Sequence, residues 1–370
     1  MPLIIQSVSY ANFRNLRKVE FEPSESFTII HGPNAAGKTN CVEGISLLTN
    51  GASFRHLAGG SDMIGPDGEA ARVRQRLVGE KRLVDEECVI APSKKTFVIN
   101  GKNRRASECP KILPSVLFNP DDLLVVKGPA SGRRDLVDAI GVQLSDAYRK
   151  VLRDYTRAVT QRNSLLKGEV FDGDVFESWT NALVAAGSTL YLYRQALVRR
   201  LVPYVDDAYR QLSHDESIVV EYRPFCGMLT DDRQRVVEAF HDVLRERRQE
   251  EVARRTTVTG PHHDDITMTI DGRAVRNFGS QGQQRTTILA IKMANAALVK
   301  DMLGYYPVFL LDDVMSELDN DRRRALFSLI DTGMQTIVTT ANLDYFTQDE
   351  RDRAKVLSIV ELKARGGSAS

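Results

Sequence analysis

Eight consecutive residues limit what this chain can fold into more than any others: Gly32-Pro33-Asn34-Ala35-Ala36-Gly37-Lys38-Thr39 fits the spacing GxxxxGK[ST] residue for residue. The octapeptide follows a compact β-rich run, Phe27 to His31, and opens a helix over 39–49 on the apolar residues Val42, Ile45 and Leu48. Strand, glycine-rich turn and helix in that order gather backbone N–H groups and a helix N-terminus around one point, an arrangement that suits a phosphate. On this reading Gly32 to Thr39, with Asn40 beside them, wrap the phosphates of a nucleoside triphosphate. Lys38 reaches the β- and γ-phosphates and the Thr39 hydroxyl binds Mg2+.

A strand–turn–helix of this kind needs a sizeable core. The 370 residues are 42% hydrophobic and 27% charged, enough for one large domain with an insertion or for two domains. A formal net charge of +1 provides no global field for nucleic acid, so any such contact must come from local patches. No apolar run approaches the roughly 18–20 residues of a membrane span, and the N-terminus lacks a signal pattern. Cys41, Cys88, Cys109 and Cys226 form no CxxC pair. A cytoplasmic chain without a membrane partner is the expectation.

Residues 1–31 read as two strands, and short strands dominate from 72 to 118, with Asn100-Gly101 as a two-residue hairpin turn. The pattern changes after Pro129. Ile140, Leu144, Tyr148, Val151, Tyr155 and Val159 predict one long amphipathic helix reaching Arg162, and Phe176 to Leu201 a second, disturbed at Pro203. A third, Arg233 to Arg255, is polar nearly all round. The expected organisation is a head from residues 1–122 and 258–370, with 123–257 inserted as a helical arm.

Two further segments carry chemistry. Phe309-Leu-Leu-Asp312-Asp313 is an apolar strand ending in two carboxylates. Alone it is a buried strand with a polar end; beside the glycine-rich motif it reads as Walker B, with Asp312 in the Mg2+ shell and Asp313 positioning the attacking water. Ser280-Gln-Gly282-Gln283-Gln-Arg285 precedes a helix expected to start near Thr286, and Ser316-Glu-Leu-Asp319 follows the carboxylates. Alone, the first is a helix cap with glutamines. The whole order resembles the ABC-type ATPases, which implies an α/β fold: a P-loop head of mixed sheet, flanking helices and an antiparallel β subdomain, with the arm lobe inserted. In that arrangement Ser280, Gly282 and Gln283 meet the γ-phosphate of ATP held by another copy.

The resemblance narrows over Asn12-Phe-Arg-Asn15, Gly37-Lys-Thr-Asn40, Ser53-Phe-Arg55, Leu117-Phe-Asn-Pro-Asp-Asp122, Gly128 with Arg133-Arg134, Thr259-Gly-Pro-His262 and Ser280-Gln-Gly-Gln-Gln-Arg-Thr286. Together they resemble the RecF family of recombination mediators, related to Rad50 and SMC heads. The resemblance implies ATP and Mg2+ as cofactors, slow DNA-stimulated ATP hydrolysis and an ATP-driven homodimer. It also implies partnership with RecR in loading RecA at gapped or junction DNA, within repair, replication and the DNA-damage (SOS) response. Arg14 and Asn15 resemble residues that contact the nucleotide in related heads; Asn119 takes the position from which a glutamine usually senses the metal or water.

Three departures matter. Asp313 is one methylene shorter than the usual Glu, Gln281 replaces the first signature Gly, and Thr336-Ile-Val-Thr339-Thr340 ends without a switch histidine, so Thr339 or Thr340 stands in. The first and third suggest a slow, switch-like enzyme. The rival readings are the ATPase subunit of a membrane transporter, against which the insertion counts, and a structural head that binds ATP without turnover.

Weaker signals remain. His262-His263-Asp264-Asp265, read as extended, sends neighbours to opposite faces and disfavours a metal site. Lys94, Lys95, Lys102, Arg104, Arg105 and Lys111 surround the hairpin as a solvated or phosphate-contacting surface. Arg245, Arg247, Arg248, Arg254 and Arg255, interleaved with Glu246, Glu250 and Glu251, read as a salt-bridged helix face.

Overall fold

The structure, a computed structural model, describes residues 3–55, 60–66, 68–80, 82–168, 173–213, 215–330 and 333–367. They fall into two compact units, one of residues 1–122 with 295–370 and the other of 123–294.

The first unit holds two sheets. One is entirely parallel, in the order Lys355–Ser358, Phe27–His31, Thr336–Thr340, Val308–Asp312, Ser115–Phe118. The strands Val308–Asp312 and Thr336–Thr340 are buried at every position, and neither shows an inward-outward alternation. The other sheet is antiparallel and six-stranded, in the order Leu16–Phe21, Ile4–Phe13, Ala71–Gly79, Arg82–Ala91, Lys94–Ile99, Lys102–Arg104. Here residues do alternate: Ala71, Val73, Gln75 and Leu77 point inward while Arg72, Arg74 and Arg76 face solvent. Residues 1–31 thus form three strands rather than the expected two, because Asn15 sits in a tight turn that folds Phe13 back onto Leu16.

Helix Lys38–Asn50 is packed against strands of both sheets and is buried nearly all round. Gly44 makes the close approach possible, since a Cβ there would lie 2.4 Å from Tyr10 Cε1. Asn100 and Gly101 take φ of 49° and 75°, the left-handed pair that a two-residue hairpin needs. Inside the antiparallel sheet Gln75 Nε2 donates to Glu86 Oε2 at 2.6 Å, and burial pushes the Glu86 carboxyl up to about 7 against that hydrogen bond.

The second unit is mostly helical, and it corrects the helix expectations. The long helix expected through 140–162 is two, Ala130–Leu144 and Asp146–Lys167, because Ser145 leaves helical geometry and its side chain caps the Tyr148 N–H. Gly173–Leu212 runs unbroken through Pro203 and so extends beyond the disturbance expected there; the ring removes one N–H without ending the helix. The segment 233–255 is also two helices, Arg233–Glu246 and Arg248–Arg254, and it is not polar all round. Val236, Phe240 and Leu244 form a buried i, i+4, i+8 stripe.

Residues 258–294, expected in the head, belong to this second unit. Strand Asp265–Ile270 pairs with Ile218–Arg223, and Arg133 makes a bidentate ion pair with Asp265 at 2.7 and 2.9 Å. Strand pairing and this ion pair, both long-range in sequence, tie residues 265–270 to the helical unit. The unit is tied by other buried pairs as well. Arg194 holds Asp138 and Asp264 together, and Asp264 also accepts from the Phe225 N–H and the Tyr222 hydroxyl. Arg162 takes both oxygens of Glu251 at 2.7 and 2.6 Å and also donates to Thr180 and Thr257.

Both members of that last pair are fully buried, so removing one strands the other. Glu251→Ala is expected to cost about 3–5 kcal/mol, read as a lowered urea midpoint for the transition that reports this unit. An unchanged midpoint would show that the unit does not depend on the pair.

Candidate functional site

The glycine-rich motif sits at the C-terminal edge of the parallel sheet, where open α/β sheets place ligands. Chain direction and parallel register bring His31, Asp312 and Thr340 to the same edge. Gly37 takes φ 113°, and a Cβ there would meet Asn15 Oδ1 at 2.5 Å; a Cβ on Gly32 would meet Ile359 at the same distance. Lys38 is buried and its Nζ donates to the carbonyls of Gly32 and Pro33, 2.9 and 3.1 Å away, so the ammonium lies folded within the loop. Asn34 and Ala35 form the exposed tip of the loop, with Ala36 partly covered.

Asp312 anchors the other side. Thr39 Oγ donates to its Oδ1 at 3.0 Å and Thr339 Oγ donates to the same oxygen at 2.7 Å. Burial pushes the carboxyl above its ordinary range, while those hydroxyls and the Arg55 charge pull it back. Asp313 turns left-handed at φ 55°, and its N–H donates to both the carbonyl and the hydroxyl of Thr339, each at 3.1 Å. Successive strand residues face opposite ways, so this turn is what removes Asp313 from the alternation; its charge adds to the rise at Asp312.

Other expected residues prove to brace the site. Arg14 gives two donors to Glu43 and a third to the Asp62 carbonyl, so its guanidinium is engaged within the fold. Asn15 Nδ2 donates to the Ala35 carbonyl and its Oδ1 accepts from Asn40, which fastens the loop to the antiparallel sheet. Asn119 directly follows the strand that pairs with Val308–Asp312; its Oδ1 accepts from the Asp122 N–H, closing a turn. Glu43 and Lys363 are contributors the sequence did not reveal. Fully buried Glu43 joins Arg14, Arg55 and Ser53, and Lys363 Nζ donates to the Ala36 carbonyl at 3.2 Å. Glu43 carried one signal, a lone carboxylate on an otherwise apolar stretch of helix.

The signature lies in the second unit, and its helix begins at Gln281, not near Thr286. Ser280 and Gln283 cap it reciprocally: Ser280 Oγ accepts the Gln283 N–H at 3.1 Å and Gln283 Oε1 accepts the Ser280 N–H at 2.8 Å. Gln283 Nε2 also donates to Glu216, so that side chain is used within its own unit. Ser280 is exposed and Gly282 partly so, leaving a helix N-terminus open to an anion. His262 and His263 do not extend to opposite faces but share a single 3₁₀ turn, with rings 4.3 Å apart. His262 meets the Tyr155 hydroxyl and the Thr257 carbonyl, so both its ring nitrogens are engaged by the fold. The hairpin residues Lys94, Lys95, Lys102, Arg104 and Arg105 are all exposed. Arg247 and Arg254 pair with Glu250 on the helix surface, whereas Glu251 turns inward.

A family model described as RecF/RecN/SMC N terminal domain matches residues 4–361. The DNA replication and repair protein RecF of Heliobacterium modesticaldum is 37% identical over 96% of this chain and 97% of its own length. The chain belongs to the RecF family. Gloeobacter violaceus RecF is 35% identical, covering 99% of each chain. Among solved structures, the recombination mediator RecF with ATP, of the RecFOR pathway, superposes with a TM-score of 0.86 at 29% identity over 93% of both chains. A Pyrococcus furiosus Smc head domain shares the fold at TM-score 0.57 and 17% identity, covering 96% of this chain and 93% of that one. The fold is therefore that of RecF and SMC-type ATPase heads, as the sequence reading expected. Among the described residues, no helix is long and apolar enough to cross a membrane.

The family frame leaves the loop geometry to this chain's own residues. Gly37→Ala forces a side chain into a left-handed conformation and against Asn15. A stability loss of about 1–3 kcal/mol is expected in urea unfolding, together with weakened binding of a fluorescent ATP analogue. Unchanged values in both measurements would mean that the loop does not need its glycine.

Proposed function

We propose that this protein is an ATP-dependent DNA-binding protein of recombinational repair and replication-fork maintenance. It hydrolyses ATP slowly, and DNA stimulates that hydrolysis. The observation that carries the ATPase half is the 3.0 Å hydrogen bond from Thr39 to Asp312, which joins the phosphate loop to the acidic strand end across 273 positions of sequence. A hydroxyl and a carboxylate facing each other at the mouth of a glycine cradle are suitable hard ligands for Mg2+. Bound Mg2+ would neutralise charge on the β- and γ-phosphates. The chain's own parts then divide the work: Gly32 and Asn34 to Thr39 would donate N–H groups, Lys38 would swing from its loop carbonyls to the phosphates, Asp312 with Thr39 would hold the metal, and Asp313 would orient water. Asn119, beside Asp312 at the sheet edge, would sense the metal or water.

The DNA half rests on the family. Its relatives carry the name DNA replication and repair protein RecF, and a solved homologue with ATP belongs to the RecFOR pathway. On this reading the first unit is the core of an ATPase head and the second supplies the signature and the arm. Two cytoplasmic copies join through ATP, and each nucleotide lies between Lys38 of one and Ser280 of the other. The dimer holds gapped or junction DNA by phosphate contacts and, with RecR, promotes RecA loading; hydrolysis resets it. No relative or structure reported above is a transporter subunit, so that reading is set aside.

Steady-state ATPase measured with and without double-stranded DNA tests the proposal. DNA should raise the rate, and Lys38→Met, which removes the ammonium while keeping the helix, should abolish it on both arms. Turnover by that variant at the normal rate would move the nucleotide site elsewhere.

The shared site has its own test. Ser280→Arg places a bulky cation at the exposed helix end without touching the phosphate loop of its own chain. ATP binding should survive, while ATP-dependent dimerisation, followed by light scattering, and turnover should fail together. A variant that still dimerises and hydrolyses normally would refute the composite site.

A further inference from the structure

A switch histidine is missing from the end of strand Thr336–Thr340, and two adjacent threonines compete for its place. Their hydroxyls behave differently. Thr340 Oγ donates to the Asn342 carbonyl at 2.9 Å and accepts the Asn342 N–H at 3.2 Å, closing its own turn. Thr339, fully buried, lies directly across the parallel ladder from Asp312. Its one proton goes to Asp312 Oδ1, and its lone pair receives the Asp313 N–H, which also bonds to its backbone carbonyl. We propose that Thr339 is the positioning residue of this ATPase: one hydroxyl fixes the Mg2+-side carboxylate and, through the backbone N–H, the left-handed turn that carries the water-side carboxylate. This inference rests on the ATPase reading above.

The arrangement has a directional logic. Asp312 has two hydroxyl donors on a single oxygen, from Thr39 and Thr339. Thr39 belongs to the phosphate loop, and its oxygen would be shared between Asp312 and Mg2+. Thr339 sits in the sheet, so it would keep the carboxylate oriented with or without the metal. A left-handed aspartate is also a strained conformation, and it persists where surrounding bonds determine it. The two acceptors of Thr339 supply that determination. Unlike an imidazole, a hydroxyl already committed on both sides has no free donor to follow the γ-phosphate. Thr339 therefore couples the two carboxylates to each other instead of sensing the nucleotide.

Thr339→Val removes the hydroxyl and keeps the branched shape a fully buried strand position requires. The Thr339 carbonyl still accepts the Asp313 N–H, so the strand end retains one of its two bonds. The expected result is a kcat lower by on the order of 10- to 100-fold, with the affinity for a non-hydrolysable ATP analogue in Mg2+ nearly unchanged and the thermal unfolding temperature close to normal. Thr339→Ser, which restores the hydroxyl without the methyl, should recover most of the rate. Undiminished kcat in Thr339→Val beside an active parent overturns this inference alone. Equal loss in the Val and Ser variants assigns the residue to packing, and a loss of analogue affinity matching the loss of kcat assigns it to binding; either overturns the inference. No turnover in the unaltered protein, with or without DNA, overturns the ATPase reading and this inference with it.

Discussion

One buried carboxylate organises the head. Asp312 ends an apolar strand that has no other polar side chain, and it is held by a hydroxyl from the helix that follows the phosphate loop and a hydroxyl from the neighbouring strand. A charged group at that depth is tolerable only with such donors. The pairing of strands Phe27–His31, Thr336–Thr340 and Val308–Asp312 in parallel register is what supplies them, because it brings loop, carboxylate and threonine to one sheet edge. The same edge then requires Asp313 to leave the strand alternation, which it does by turning left-handed.

Around this centre the first unit trades breadth for rigidity. Helix Lys38–Asn50 is covered on nearly every side, so its N-terminus is held by packing against two sheets rather than by a side-chain cap of its own. The loop ahead of it is braced from three directions: by Asn15 on Ala35, by Lys363 on Ala36, and by the close approach of Ile359 to Gly32. A loop so tied can present its N–H groups in a fixed geometry, which is what electrostatic stabilisation of phosphate charge demands.

The second unit uses a different device. Its helices enclose ion pairs, Arg194 with Asp138 and Asp264 and Arg162 with Glu251, that join segments far apart in sequence. Buried pairs of this kind add little net stability over apolar packing but penalise any arrangement that separates them. They fix the segment Thr259-Gly-Pro-His262 against the long helices, and strand Asp265–Ile270 follows directly from it.

The sequence alone determined the phosphate loop, the acidic strand end, the hairpin at Asn100-Gly101 and the α/β fold, because each is encoded in a few adjacent residues with fixed backbone demands. Glycines at 32 and 37, an apolar run ahead of Asp312 and an Asn-Gly pair allow few alternatives. Tertiary structure alone decided the rest. That Arg14 is engaged by buried Glu43, that residues 258–294 fold with the helical unit, and that Thr339 rather than Thr340 faces the Asp312 carboxylate all depend on partners distant in sequence, or on which face of a fully buried strand meets which neighbour. Local pattern cannot carry that information, since a strand buried on both faces shows no alternation from which to read a direction.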